Sequence, residues 1–190
     1  MKVLHLNQFG TNVGGVEAYI ADVSRALLAA GHQTRLISFA FEDPSGLMPG
    51  TTQVDESGLT ATLVGIARVI EDFQPDVAYV HAVYDPRVVR YIGNHLPAVA
   101  YIHSPYLFCP GYALYLRRSS RVCQRRAGPG CLVNAQIEQC CFGWNPIRHA
   151  WRLQQVHGLL VTTSQLNVLV GSEFMRQRLI KDVHHQGGFP

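Results

Sequence analysis

Charge is scarce in this chain: only 15% of its 190 residues are Asp, Glu, Lys or Arg, and the formal net charge is +3. So small a balance gives no electrostatic footprint for nucleic acid, and no interleaved aromatics or reader motif replace one. No uninterrupted apolar run is long enough to cross a bilayer. The amino terminus has no signal-peptide pattern, because its apolar run reads as a strand, so the cytoplasm is the expected compartment. No segment repeats another, and neither a C-x2-C knuckle nor a G-x-G-x-x-G loop occurs. Against these absences, hydrophobic residues reach 47%. That composition fits a soluble globular domain able to bury a core without staples, and it excludes a disordered chain.

The most ordered stretch is the first. Residues 3–9 are apolar apart from His5 and the Asn7-Gln8 pair, as in a strand covered on both faces. Gly10, Gly14 and Gly15 make a turn, and Val16, Tyr19, Ile20, Val23, Ala26, Leu27 and Ala30 recur at helical spacing up to Gly31. A second strand is expected over 33–41, then a surface loop over 42–58 rich in Pro, Gly, Asp and Ser. Leu59, Leu63, Ile66, Ile70 and Phe73 predict a helix ending before Pro75. A third strand follows over 77–83, then a helix opened by the cap-and-proline pair Asp85-Pro86, then a fourth strand over 98–102 ending at His103-Ser104-Pro105. Strand and helix in alternation predict an α/β fold with a doubly wound, Rossmann-like parallel sheet, helices on both faces and ligands at the carboxyl ends of the strands.

Residues 106–143 break the alternation. This irregular insert holds all five cysteines and the dense series Arg117, Arg118, Arg121, Arg125 and Arg126. Asn145-Pro146 opens another helix, in which residues 159–162 read either as its last turns or as a short strand. A strand is expected over 168–170 and a helix over 173–181, and the tail 184–190 has no periodicity.

Gly14-Gly15-Val16-Glu17-Ala18-Tyr19 with Gly31-His32 resembles the amino-terminal signature of family 4 glycosyltransferases, retaining enzymes of the GT-B architecture. Gln74-Pro75-Asp76-Val77 leading to His81, Tyr101-Ile102-His103, and Gly171-Ser172-Glu173-Phe174-Met175 follow in the family's order. The resemblance implies two Rossmann-like domains facing each other across a cleft, the first mainly holding the acceptor and the second the nucleotide-sugar. Residues 1–183 would be that first domain and 184–190 the start of a linker. The family's paired glutamates seven residues apart have no match here. The donor domain is therefore expected to be absent, and the fragment alone unable to transfer sugar.

What the resemblance implies about residues can be set beside their chemistry. Gly14 and Gly15, at the amino terminus of a helix, would receive the donor's diphosphate, since glycine admits close approach and the helix dipole favours an anion. A tight turn needing glycine only for packing is the alternative. His103 matches the family's active-site histidine, which hydrogen-bonds the transferred sugar, and its neutral ring could donate to a hydroxyl or to the backbone. The family commonly has an acidic residue after this histidine; here it is Ser104. His81, Glu17, Ser104 and Ser172 are the acceptor and cleft candidates. For His81 the other reading is a structural polar residue, for Glu17 a partner of the helix dipole, and for Ser172 a helix cap. The partners implied are a nucleotide-sugar and a sugar or lipid-linked acceptor, with no essential cofactor. A non-catalytic sugar or nucleotide module is the second functional reading. A dinucleotide-binding domain with Glu42 on a ribose is a third, but its glycine spacing does not fit.

An odd number of cysteines in a reducing compartment argues against a fully paired disulfide set. Cys109, Cys123, Cys131 and Cys140 could hold a structural zinc, although their spacing gives little support; plain buried thiols and disulfides are the other readings. The arginine series is either a solvated basic face or a contact for an anionic acceptor or the inner membrane surface.

Overall fold

The computed structural model describes residues 1–40, 42–55, 57–140 and 145–183. Phe41, Glu56, Cys141, Gly143 and the tail 184–190, all part of the expectations above, lie outside the described residues. The chain divides into two compact units, Met1–Tyr101 and Ile102–Pro190.

In the first unit, strand β1 (Lys2–Asn7) is buried from its second residue to its last, as an apolar run covered on both faces must be. Helix α1 (Gly15–Ala29) follows, and Gly31 turns the chain at a φ of 80° into β2 (Gln33–Ser38). The segment expected to be a plain surface loop instead contains a 3-10 turn (Pro44–Gly46) and a short strand, β3 (Thr51–Gln53), parallel to β2. With three residues, β3 was too short to show an alternation in sequence. Helix α2 (Leu59–Phe73) ends on Gln74 in the left-handed conformation, and Pro75 prevents its continuation. Strand β4 (Val77–Val80) is shorter than expected. In α3 (Pro86–His95), Asp85 caps the helix by accepting from the Arg87 amide at 2.8 Å. Strand β5 (Ala98–Ile102) reaches the end of the unit.

These strands are parallel and ordered β3-β2-β1-β4-β5. The chain moves outward from β1 to β2 and β3, then crosses back to β4 and β5. Right-handed crossovers running in opposite directions set α1 on one face and α2 and α3 on the other. The strand order therefore switches between β1 and β4, and ligands of such sheets bind at the carboxyl ends of the strands there. Leu4, Leu6, Ile37, Ile66 and Ile92 form the core and are fully buried.

The second unit is more ordered than its sequence suggested. A 3-10 turn (Pro105–Leu107) leads to a two-stranded antiparallel hairpin, β6 (Tyr115–Leu116) with β7 (Arg121–Val122), and then to α4 (Gly130–Ile137). Elements of two and eight residues carry too little periodicity to be read from sequence. Asn145 caps α5 (Pro146–Thr163), accepting from the Arg148 amide at 3.0 Å, and residues 159–162 are its last turns rather than a strand. Helix α5 packs against the turn Pro105–Leu107, burying Leu107, Phe108, Val156, Leu159 and Leu160. Strand β8 (Asn167–Val170) and α6 (Glu173–Val183) complete the unit.

Candidate functional site

Asn7 ends β1 at the switch in strand order, and its side chain fastens three elements together. Its Nδ2 donates to Glu17 Oε1 of α1 at 2.7 Å and to the Phe9 carbonyl at 2.9 Å, while its Oδ1 accepts from the Ala82 amide beyond β4 at 3.2 Å. Glu17 is therefore buried at 4% exposure beneath the helix start and does not face an open cleft. Asn7 was visible in sequence only as a polar residue interrupting an apolar strand, and that interruption was its signal.

The loop after β1 separates its glycines by role. Gly10 is buried, and a Cβ there would stand 2.8 Å from Leu47, Ser38 and Thr51 side-chain atoms, so this glycine serves packing. The Gly10 amide, the Thr11 amide and the Thr11 hydroxyl all donate to the Glu42 carboxylate, the Thr11 amide at 3.2 Å. Glu42 is thus the loop's own anion, and its carboxylate is engaged there rather than offered to a ribose. Gly14 and Gly15 are exposed. Gly14 caps α1 with extended backbone and no side-chain bond, and a Cβ on Gly15 would meet nothing within 4 Å. That end of α1 has room for a ligand and the positive end of a helix dipole.

Beneath the strand ends lies a cluster that sequence reading overlooked. His5 Nδ1 and His81 Nε2 are 3.1 Å apart, both rings fully buried, with Tyr79 packed on His81 at a centroid distance of 4.4 Å. The Tyr19 and Tyr79 hydroxyls are 2.8 Å apart, and Tyr19 stacks on Tyr101 at 5.0 Å. Burial lowers the His5 pKa from 6.5 to about 4, so the ring is neutral near pH 7. Burial, and then the bond to Tyr19, push the Tyr79 phenol up. His81, expected near the cleft, is a core residue whose amide bonds the Leu6 carbonyl at 2.9 Å. The signal was alternation: Tyr79 in β4 and His81, the residue just past its end, are two apart, and His5 pairs in register with Tyr79.

A cavity of about 220 Å³ opens at the carboxyl edge of this sheet, lined by Gln8, Tyr84, Asp85 and Arg87 and by the first turn of α2. Asp85 and Arg87, both in its lining, are paired at 2.6 Å.

In the second unit His103 directly follows β5 and is half-buried. Burial lowers its pKa from 6.5 to about 4, so it too is a neutral ring at physiological pH. Ser104 is exposed at the start of the 3-10 turn and makes no capping bond there. Ser172 accepts from the Met175 amide at 3.3 Å, which makes it the cap of α6. Arg117, Arg118, Arg121 and Arg125 are exposed on and around the hairpin, whereas Arg126 is half-buried and lies 3.6 Å from Asp182. Asp182 also pairs with Arg178 at 2.8 Å, both about 95% buried. Cys109, Cys123, Cys131 and Cys140 are thiols, none joined in a disulfide.

A parallel α/β unit with a glycine turn at its first helix, followed by a neutral histidine directly after β5, is Rossmann-like and consistent with one half of a GT-B fold. The chain belongs to Glycosyltransferase Family 4, whose model matches residues 13–132, more than half of its length. No curated protein is matched significantly. Among the described residues no helix is long and apolar enough to cross a membrane.

Proposed function

We propose that this chain is the acceptor-side domain of a retaining glycosyltransferase that moves a sugar from a nucleotide-sugar to an acceptor, and that a second Rossmann-like domain supplies the donor half. Membership of the family supports sugar transfer in general. The observation that carries the finer reading is His103, held neutral by burial directly after a parallel strand. A neutral imidazole donates to or accepts from a sugar hydroxyl without adding charge to a site where an oxocarbenium-like centre develops. Gly14 and Gly15 receive the diphosphate, whose charge grows as the sugar leaves, and the dipole of α1 favours that growth. The acceptor occupies the cavity at Gln8, Tyr84 and Arg87. Glu17 and His81 support it from below by fixing the strand ends. The reaction draws on no essential metal or cofactor.

The reading is tested with the intact enzyme and a panel of nucleotide-sugars, by thermal shift and by release of nucleotide. One donor should raise Tm and be turned over, and His103→Ala should lower turnover on the order of 10²-fold while circular dichroism is unchanged. A folded His103→Ala enzyme with full activity would refute the role of this residue. If the gene encodes no second domain and no donor is turned over, the chain is a binding module instead.

A further inference from the structure

A cavity of about 580 Å³ lies within the second unit, and sugar transfer as read above draws on none of the residues that line it. The volume falls in the range of roughly 300–1,000 Å³ that small-molecule sites occupy. Ala150, Leu153, His157 and Leu160 follow one another on α5 at spacings of three and four, so one face of that helix supplies a whole wall. Leu107, Phe108, Val156 and Leu160 close its inner side, each no more than 5% exposed. The exposed lining residues Ala150, Gln154 and His157 mark its open side.

Among these apolar side chains stands a carboxylate. Asp182, the penultimate residue of α6, lines the cavity and is 5% exposed. Its Oδ2 accepts from Arg178 Nε at 2.8 Å, and the other end of that guanidinium donates to the Arg125 carbonyl. Its Oδ1 has no hydrogen-bond partner among the described residues. Arg126, also in the lining, brings Nε to 3.6 Å from Oδ1, close enough to attract it and too far to donate to it. A buried carboxylate offsets its desolvation only when its oxygens are hydrogen-bonded, and an oxygen left without a donor costs free energy. In the wall of a cavity, that donor can come from a ligand.

The charges around Asp182 select the ligand. Two guanidinium groups, of Arg126 and Arg178, already stand beside the one carboxylate, which disfavours a third cation. An anion would meet the bare Oδ1 and be repelled. A water molecule would satisfy Oδ1 but leave the apolar inner wall hydrated, whereas a molecule with one neutral donor and a hydrocarbon body satisfies both. We propose that this cavity binds a neutral, largely apolar alcohol, with its hydroxyl donating to Asp182 Oδ1 and its hydrocarbon against Leu107, Phe108, Val156 and Leu160. An O–H donor on an ionised oxygen makes one of the stronger hydrogen bonds, so Asp182 sets the specificity while the apolar wall supplies most of the burial.

Two probes of nearly equal shape test this on the intact chain: 4-butylphenol, which carries a hydroxyl, and its methyl ether, 4-butylanisole, which has none. Titration calorimetry should show saturable binding of the phenol and binding of the ether at least about tenfold weaker. Leu153→Trp fills the cavity from α5 without touching the ion pair, and should weaken phenol binding at least about tenfold while circular dichroism is unchanged. Ala150→Phe, on the open side, serves the same purpose should the larger substitution disturb folding. Asp182→Ala is avoided because it would leave Arg178 buried without its partner, so the ether carries the test of the carboxylate in unaltered protein. Equal affinity for phenol and ether would overturn the role of Asp182. Absence of saturable phenol binding, or full binding by a folded cavity-filled variant, would overturn the site.

Discussion

His5 shows how much a single side chain's surroundings decide. In sequence it is one polar residue in a strand; in the fold it is a ring closed to solvent, bonded to His81 and held neutral. The sign of the consequence follows from its two pKa values. Above pH 6.5 the ring is neutral whether the chain is folded or not, and His5 contributes nothing to pH dependence. As pH falls from 6.5 towards 4, the unfolded chain takes up a proton that the folded chain refuses, and stability is lost. Between pH 6.5 and 5 the loss is on the order of 2 kcal/mol for this residue. Urea midpoints at pH 7 and pH 5 measure it, and His5→Gln should flatten the difference. Equal slopes in the two proteins would mean that His5 takes up its proton in the folded state. His103, whose pKa burial also lowers to about 4, acts in the same direction.

At the scale of the element, the glycine turn between β1 and α1 is two devices in succession. Gly10 lies against Leu47, Ser38 and Thr51 and anchors the bend, while Gly15 opens onto space. Gly10→Ala should therefore destabilise the protein by about 1–3 kcal/mol through overpacking, measured by denaturant unfolding. Gly15→Ala should change stability by less than about 0.5 kcal/mol yet reduce the thermal shift produced by a nucleotide-sugar in the intact enzyme. Equal destabilisation by the two substitutions would return both glycines to a packing role. Their sequence offered a loop of the right size but no means of separating them, because the atoms around Gly10 come from residues 38, 47 and 51. Long periodic helices were legible for the opposite reason: α2 and α3 carry their apolar faces and end signals within themselves. Strand β3, the hairpin and α4 were not, since each is too short to show a period and is held by partners distant in sequence.

At the scale of the whole molecule, a net charge of +3 conceals an uneven distribution. Arg117, Arg118, Arg121 and Arg125 surround a hairpin that also exposes Tyr115 and Val122, paired across its strands. Exposed arginines beside exposed apolar side chains suit the surface of an anionic membrane. Replacing the four arginines by glutamine should weaken sedimentation with vesicles containing anionic phospholipid at least about tenfold, with little effect on neutral vesicles. Binding that is unchanged and insensitive to salt would leave the hairpin as a solvated face.

The sequence by itself determined the alternation of strand and helix, the start of each long helix, the family and the position of His103 after its strand. Those properties are written in periodicity, caps and local motifs, and need no knowledge of what lies across the fold. Only the tertiary structure decided that His81 and Glu17 are buried supports and that Glu42 fills the loop at Gly10 and Thr11. These depend on burial and on hydrogen bonds between residues far apart in the chain, and local pattern contains neither.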